Sequence, residues 1–362
     1  MFDHFYQGKR VLVTGHTGFK GSWLSLWLHR LGAEVHGLAL PADTDRGVYA
    51  TSCAGAFASE SFTDIRDAAA TATAILAVQP QVVFHLAAQP LVRLAYAQPV
   101  ATIATNVMGT MNVLDALRVL PQPPASVVVV TSDKCYENMG WHHGYREPDP
   151  MGGHDPYSAS KGACELLVAS WRRSFCASGT PRLATARGGN VIGGGDWSAD
   201  RILPDCIRAL SAGSAIDLRN PQATRPWQHV LDCLSGYLWL GARIADAPNH
   251  DVLCNGMNFG PMLASVKNVR TLVEEVLRHW PGAWQDQSDG NALHEAKFLH
   301  LAIEKAASLL GWLPVWDFSA TVKHTVDWYA TQRDHAGTLA AFTLQQINSF
   351  EADAARTGAV WA

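Results

Sequence analysis

Val11-Leu12-Val13-Thr14-Gly15-His16-Thr17-Gly18-Phe19-Lys20-Gly21 reads as a short β-strand that breaks into a glycine turn. Leu24, Trp27, Leu28 and Leu31 follow at helical spacing, and Gly32 is placed to end the helix. Glycines at 15, 18 and 21 let the turn be tight, let backbone N–H groups approach a pyrophosphate, and let the helix lie close to the strand. A glycine triplet alone can be a merely structural turn. Between a β run and an amphipathic helix it points to dinucleotide binding.

The alternation continues outward from this unit. Glu34–Leu40 is a second strand, at whose end an acidic residue would accept the adenosine ribose hydroxyls; the chain has Leu40 there. Asp43 and Asp45 follow, as solvated loop carboxylates or as residues reaching back. No arginine directly follows the strand to hold a 2′-phosphate, so the reading favours NAD over NADP. Asp64-Ile65-Arg66-Asp67 precedes an alanine-rich helix, with Asp64 either its cap or a contact to adenine. Gln81–Gln89 is a strand running out into small residues, Leu86-Ala87-Ala88, which suits close approach to a cofactor. Asn106 opens a helix whose Val107, Met111, Leu114 and Leu117 mark a core or dimer face.

Val127–Thr131 is a buried strand, and the helix that begins at Tyr157 follows after an unusually long connection, Glu137–Pro156. That connection is a substrate-facing loop or a surface insertion. Arg182–Arg187 is the last clear strand and runs into the glycines before Trp197. Alternating β and α signals predict an α/β fold, a Rossmann-type doubly wound parallel sheet. Beyond Trp197 the pattern loosens. Ile202–Leu210, Val230–Ile244, Val266–His279 and Ile303–Leu309 read as helices, and Ile216–Arg219 and Val252–Cys254 as short strands. We expect residues 1–189 to form the NAD-binding domain, with about 215–250 returning to it, and residues 190–362 to form mainly a smaller mixed substrate-binding part.

Composition narrows the class. A chain of 362 residues, 48% hydrophobic and 17% charged, can bury a sizeable core. A net charge of −4 gives no general attraction to nucleic acid, and no apolar run approaches a membrane span of ~20 residues. Seven cysteines without a C-x-x-C pair argue against a zinc site and a disulfide framework, and the 15 histidines show no metal-site pattern. The start, Met1-Phe2-Asp3-His4-Phe5, has no secretory pattern, so a cytoplasmic location is expected.

Reactive side chains concentrate between Val127 and Lys161. Ser132, Asp133 and Lys134 leave the strand, and Tyr157 and Lys161 lie four apart on one helical face. With Thr14-Gly15-x-x-Gly18-x-x-Gly21, the strand-end Ser132 and Tyr157-x-x-x-Lys161, the chain resembles the extended short-chain dehydrogenase/reductase family. Within that family it is most similar to the 4,6-dehydratases of nucleotide sugars. The matching stretches are Gly15–Trp23, His85–Arg93, Thr131–Tyr136, Tyr145–Glu147, Met151–Gly153 and Gly189–Trp197. The most specific is Ser132-Asp133-Lys134, since relatives acting on other nucleotide sugars carry Asp-Glu there and 4-epimerases lack the pair.

The resemblance implies net dehydration of CDP-glucose, with NAD reduced and re-oxidised in one turnover. Tyr157, its pKa lowered by Lys161 and the nicotinamide charge, is expected to take the O4 proton while Ser132 holds O4. Asp133 as acid and Lys134 as base would then eliminate water across C5 and C6. Lys134 must be neutral for that role, and a simple Asp133–Lys134 ion pair is the alternative. Gly15, Thr17, Gly18, Phe19, Gly21, Asp64, Ile65, Leu86, Ala87, Ala88, Asn106, Tyr157 and Lys161 are expected at the cofactor. Arg225, Asn190, Arg93 and Arg201 are expected at the substrate diphosphate, with surface pairing the alternative for Arg225 and tying down the loop the alternative for Asn190. The resemblance also implies a homo-oligomer paired through the Asn106 and Tyr157 helices. A 4-epimerase, which would have no use for Asp133-Lys134, and a non-catalytic dinucleotide-binding protein are the rival readings.

Overall fold

In the computed structural model, which describes residues 1–176, 181–246, 250–288 and 299–362, the aliphatic runs assemble into one seven-stranded parallel sheet. Its strands are β1 (Arg10–Thr14), β2 (Glu34–Ala39), β3 (Ser59–Phe62), β4 (Val82–His85), β5 (Ser126–Val130), β6 (Arg182–Gly188) and β7 (Met257–Phe259). They lie in the order β7-β6-β5-β4-β1-β2-β3. The order reverses between β1 and β4, so a crevice opens beyond their carboxyl ends.

Successive side chains of each strand feed opposite faces. Val11, Val13, Phe84 and Val128 join one layer with Trp23, Trp27 and Leu234, whereas Leu12, Val83, Val127 and Val129 join the other with Val113 and Leu117. Both faces are therefore covered, as a parallel sheet requires. The covering helices are α1 (Phe19–Arg30), α2 (Ala68–Val78), α3 (Gly109–Arg118) and α4 (Pro156–Phe175), followed by α5 (Ile202–Ser211), which packs against Ile216–Leu218, and by α6 (Val230–Asp246), again on the sheet. Beyond β7 come α7 (Val269–His279), α8 (Phe318–Asp334) and α9 (Leu339–Thr357). The α6 helix, buried along most of its length, packs across β5 and β6. The strand that completes the sheet edge at β6 lies at 257–259, after α6. Residues 247–249 of the segment expected to return to the first domain lie outside the described residues.

Several local expectations are corrected. Val252–Cys254 is not a strand: His250–Leu253 is a helical turn, and the strand begins at Met257. Three apolar residues are too few for periodicity to separate the two forms. Ser59–Phe62 is a strand that polar residues concealed, because an edge strand need not alternate. Asp64 does not cap α2; Asp67 does, accepting from the Ala70 N–H at 3.0 Å. Asn106 does not open a helix but sits in a π turn, Ala104–Met108, between Pro99–Ile103 and α3. The helix expected from Val266 starts at Val269, where Asn268 caps it.

Helices α8 and α9 are unmarked in the sequence reading, and α9 with the residues after it covers α1. Trp27 Nε1 donates to Glu351 at 2.9 Å, and Arg30 pairs with the same carboxylate. Trp361 stacks on Phe2 at 5.0 Å and on Phe350 at 5.7 Å. The long connection after β5 folds back through bridges Tyr136↔Met151 and Tyr145↔Leu301 into a small separate cluster with Cys135 and Leu299. None of the seven cysteines forms a disulfide, and all are buried. No helix of the described residues is long and apolar enough to cross a membrane.

Candidate active site

The glycine turn closes because no side chain would fit. Gly15 holds φ +76°, and a Cβ there would lie 2.8 Å from the Ala87 nitrogen; one on Gly21 would lie 2.0 Å from the Gly15 oxygen. Gly18 is exposed at the start of α1, and no side chain among the described residues caps that helix, so its positive end faces the crevice. The Thr17 hydroxyl ties the turn to β2 by donating to the Leu40 carbonyl at 2.9 Å. Phe19 is half-buried beside it. Across the crevice Leu86, Ala87 and Ala88 leave β4 half-exposed, with the Thr14 hydroxyl oxygen accepting from the Leu86 and Ala87 N–H groups at 3.2 Å each. A cradle that any Cβ would fill, a positive helix end and small residues opposite fit a dinucleotide.

Other expected cofactor residues are differently engaged. Asp64 is forked onto Arg66 at 2.5 Å, and Ile65 is buried against Gly109. Asn106 is buried, clamps the backbone of Gln89 at 2.8 and 3.0 Å, and donates to Ser160 at 2.8 Å. It thereby joins the β4 exit to α4.

Helix α4 presents Tyr157 and Lys161 because Pro156 occupies its first turn and Asp155 caps it, accepting from the Ser158 N–H at 3.0 Å. Both functional side chains are buried beneath the end of β5. The Lys161 ammonium donates to the Val130 carbonyl at 3.4 Å. Ser132 donates to Asp133 Oδ1 at 2.8 Å and accepts from the Lys134 N–H at 3.2 Å. Asp133 is buried, with Oδ2 unpartnered among the described residues.

Burial raises the Asp133 carboxyl above its ordinary range, against the pull of Lys134, the Ser132 bond, Lys20 and Arg225. Burial likewise lowers Lys161, with the Lys20 charge adding to the effect. The Tyr157 phenol is pushed up to about 12, chiefly by burial; a Ser132 hydrogen bond and the Arg201 charge act downward and the Asp133 charge upward. In the protein alone desolvation thus outweighs the Arg201 charge, and the lowered phenol expected from sequence rests on the nicotinamide charge as well.

Of the expected substrate residues, Arg201 pairs with Asp196 at 2.8 Å and bears on Tyr157, while Arg225 bears on Asp133. Arg93 pairs with Asp200 at 3.1 Å. Asn190 sits at the end of the loop leaving β6, where its carbonyl accepts from the Gln228 N–H at 3.2 Å. Lys20 was overlooked. It reaches from the glycine turn to Tyr237 at 3.4 Å and Cys233 at 3.9 Å, and its charge acts on both Asp133 and Lys161. A charged residue between two turn glycines was the available signal. Glu165 and Arg187, paired at 2.7 Å beneath the cluster, were also overlooked.

Residues 12–325 match the GDP-mannose 4,6 dehydratase family model. A CDP-glucose 4,6-dehydratase of Salmonella typhimurium is 45% identical over 332 residues, covering 90% of this chain and 92% of that protein. Among solved structures, a dTDP-glucose 4,6-dehydratase of Streptomyces venezuelae, with NAD bound, superposes with a TM-score of 0.74 at 24% identity, covering 90% of this chain and 98% of that one. A UDP-glucose 4-epimerase of Thermus thermophilus, in complex with NAD, gives 0.75 at 24% identity over 89% and 99%. These two likenesses speak to the fold.

Proposed function

Because the chain belongs to the GDP-mannose 4,6 dehydratase family, we propose that it converts CDP-glucose to its 4-keto-6-deoxy product. It is an NAD-dependent nucleotide-sugar 4,6-dehydratase, a carbon–oxygen lyase. The observation that carries the reading is the buried meeting of Ser132, Asp133 and Tyr157, in which an acid made more protonated by burial stands beside hydride-transfer equipment. The choice of CDP is supported by the 45% identity and by Lys134 following Asp133.

NAD, when bound, supplies the hydride acceptor for C4 and the donor for C6, and adds positive charge beside the phenol. Tyr157 takes the proton of the sugar O4, Ser132 holds that oxygen, and Lys161 fixes the cofactor ribose. With C4 a ketone, the C5 hydrogen is acidic. Lys134, in its neutral form, removes it while Asp133, whose carboxyl burial raises, donates to the departing O6, so that water leaves and an ammonium and a carboxylate remain side by side to be reset. Arg225 and Arg201 hold the diphosphate, with Arg93 and Asn190 at its margin.

Residues 1–189 carry the cofactor side of this scheme and 190–362 mainly the substrate side. The protein works as a homo-oligomer in the cytoplasm. Exposed Tyr96, Val100, Ile103 and Met108, with Leu166 on α4, give the Asn106 and Tyr157 helices an apolar face suited to a second copy.

Incubation with CDP-, dTDP-, GDP- and UDP-glucose deuterated at C4 tests the function. Water loss with the label moved to C6, fastest for the CDP sugar, is expected by mass spectrometry. Isomerisation without mass change would instead indicate an epimerase, and no turnover of any of the four a non-catalytic binder. In Lys134→Ala, undiminished exchange of the C5 hydrogen with solvent would remove Lys134 from the base role.

A further inference from the structure

The elimination groups and the hydride-transfer groups come from different elements, β5 and α4, yet must meet one sugar. Resting on the dehydratase reading above, we propose that the buried Glu165–Arg187 pair is a positioning device that fixes the Ser132–Lys134 segment against Tyr157 and Lys161. Glu165 follows Tyr157 and Lys161 at i+8 and i+4, so the three share a stripe of α4. Its Oε1 accepts from the hydroxyl of Thr131, the residue immediately before Ser132. Its Oε2 accepts from Thr185 and from Arg187 Nη2, both at 2.7 Å on β6.

Arg187 carries the hold to the other end of the segment. Its Nη1 donates to the Tyr136 hydroxyl at 2.5 Å and to the Glu147 carbonyl at 3.2 Å. Tyr136 in turn donates to Asn258 on β7 at 2.7 Å. Residues 132–135 are thus bracketed, at Thr131 and at Tyr136, by a single carboxylate–guanidinium pair.

A buried ion pair is a poor source of stability compared with apolar packing. Here both partners are at most 5% exposed and every donor to the carboxylate comes from β6 or from Thr131, just beyond β5. The arrangement instead gives geometric definition. The carboxylate can be met at once by Thr131, Thr185 and Arg187 only when α4, β5 and β6 sit in one register. Hydride transfer takes its base and its cofactor contact from α4 and only the Ser132 hydroxyl from the bracketed segment, whereas elimination takes both Asp133 and Lys134 from it, so a loosened bracket damages the second step more than the first.

Thr131→Val and Tyr136→Phe each release one end of the segment without adding bulk, while Thr185→Val removes a bond to the same carboxylate and leaves the segment attached. For the two releasing variants, turnover of CDP-glucose should fall roughly 10- to 100-fold, the cost of a misplaced reacting group. Reduced cofactor should accumulate during turnover, and C5 exchange in recovered substrate should drop. Thr185→Val should lower the urea midpoint comparably yet leave the ratio of reduced cofactor to product at the wild-type value. The proposal is overturned if that ratio stays unchanged in both releasing variants, or if Thr185→Val shifts it as much. Failure of the wild-type protein to dehydrate any nucleotide hexose would overturn the functional reading itself and is read separately.

Discussion

His85 lies at the end of β4 with Nδ1 at 2.7 Å from the Thr14 hydroxyl and Nε2 at 2.9 Å from that of Thr110. Burial, with the Lys161 charge second, lowers its pKa to about 3. The folded state therefore refuses a proton that the unfolded chain accepts near 6.5, so this stability is present above 6.5 and is lost as pH falls toward 3. Between pH 6.5 and 5 the loss from this residue is about 2 kcal/mol. Urea midpoints should fall over that range, and His85→Gln should flatten the slope. Asp133 gives a catalytic counterpart. Asp133→Asn should cut dehydration by roughly 10²- to 10⁴-fold while cofactor reduction on mixing persists. Because the Asp133 carboxyl is raised, its acid form survives above the ordinary carboxyl range, and wild-type dehydration should decline as pH rises through the raised value. Ser132, Asp133, Tyr157 and Lys161 could be found in the sequence because short fixed spacings carry them. Glu165 and Arg187 could not, since each is defined by partners on other elements, and Lys20 offered only its place between two turn glycines, its partner Tyr237 being far along the chain.

Helix α4 owes its start to Asp155, and the same carboxylate raises the Tyr157 phenol. The two effects separate by substitution. Asp155→Ala should cost about 1 kcal/mol through loss of the cap, whereas Asp155→Asn keeps a capping oxygen. In Asp155→Asn, removing the negative charge lowers the phenol, so the limb of the pH–rate profile that needs phenolate should move to lower pH while the urea midpoint holds. Strongly patterned elements were readable: β1 with its turn, the valine run of β5, and α4. Others lacked a local signal. The strand Ser59–Phe62 is largely exposed and polar, and α8 mixes threonine, histidine and tryptophan so that no single apolar stripe declares it. Both are specified by what they pack against.

At the scale of the molecule, the doubly wound sheet followed from alternation alone, but the cover over α1 did not. The homo-oligomer proposal belongs here too. Val100 is 81% exposed on an apolar face, and Val100→Glu should shift sedimentation toward a single copy while far-UV circular dichroism is unchanged. The seam of Trp27, Glu351, Phe2, Phe350 and Trp361 also has a meaning in time. Trp27 and Glu351 are 324 residues apart, so at ~5–20 residues per second the ribosome needs roughly 15 to 65 s to deliver the partner. Until then the tryptophan face of α1 lacks the Glu351, Phe350 and Trp361 cover that it has in the complete fold.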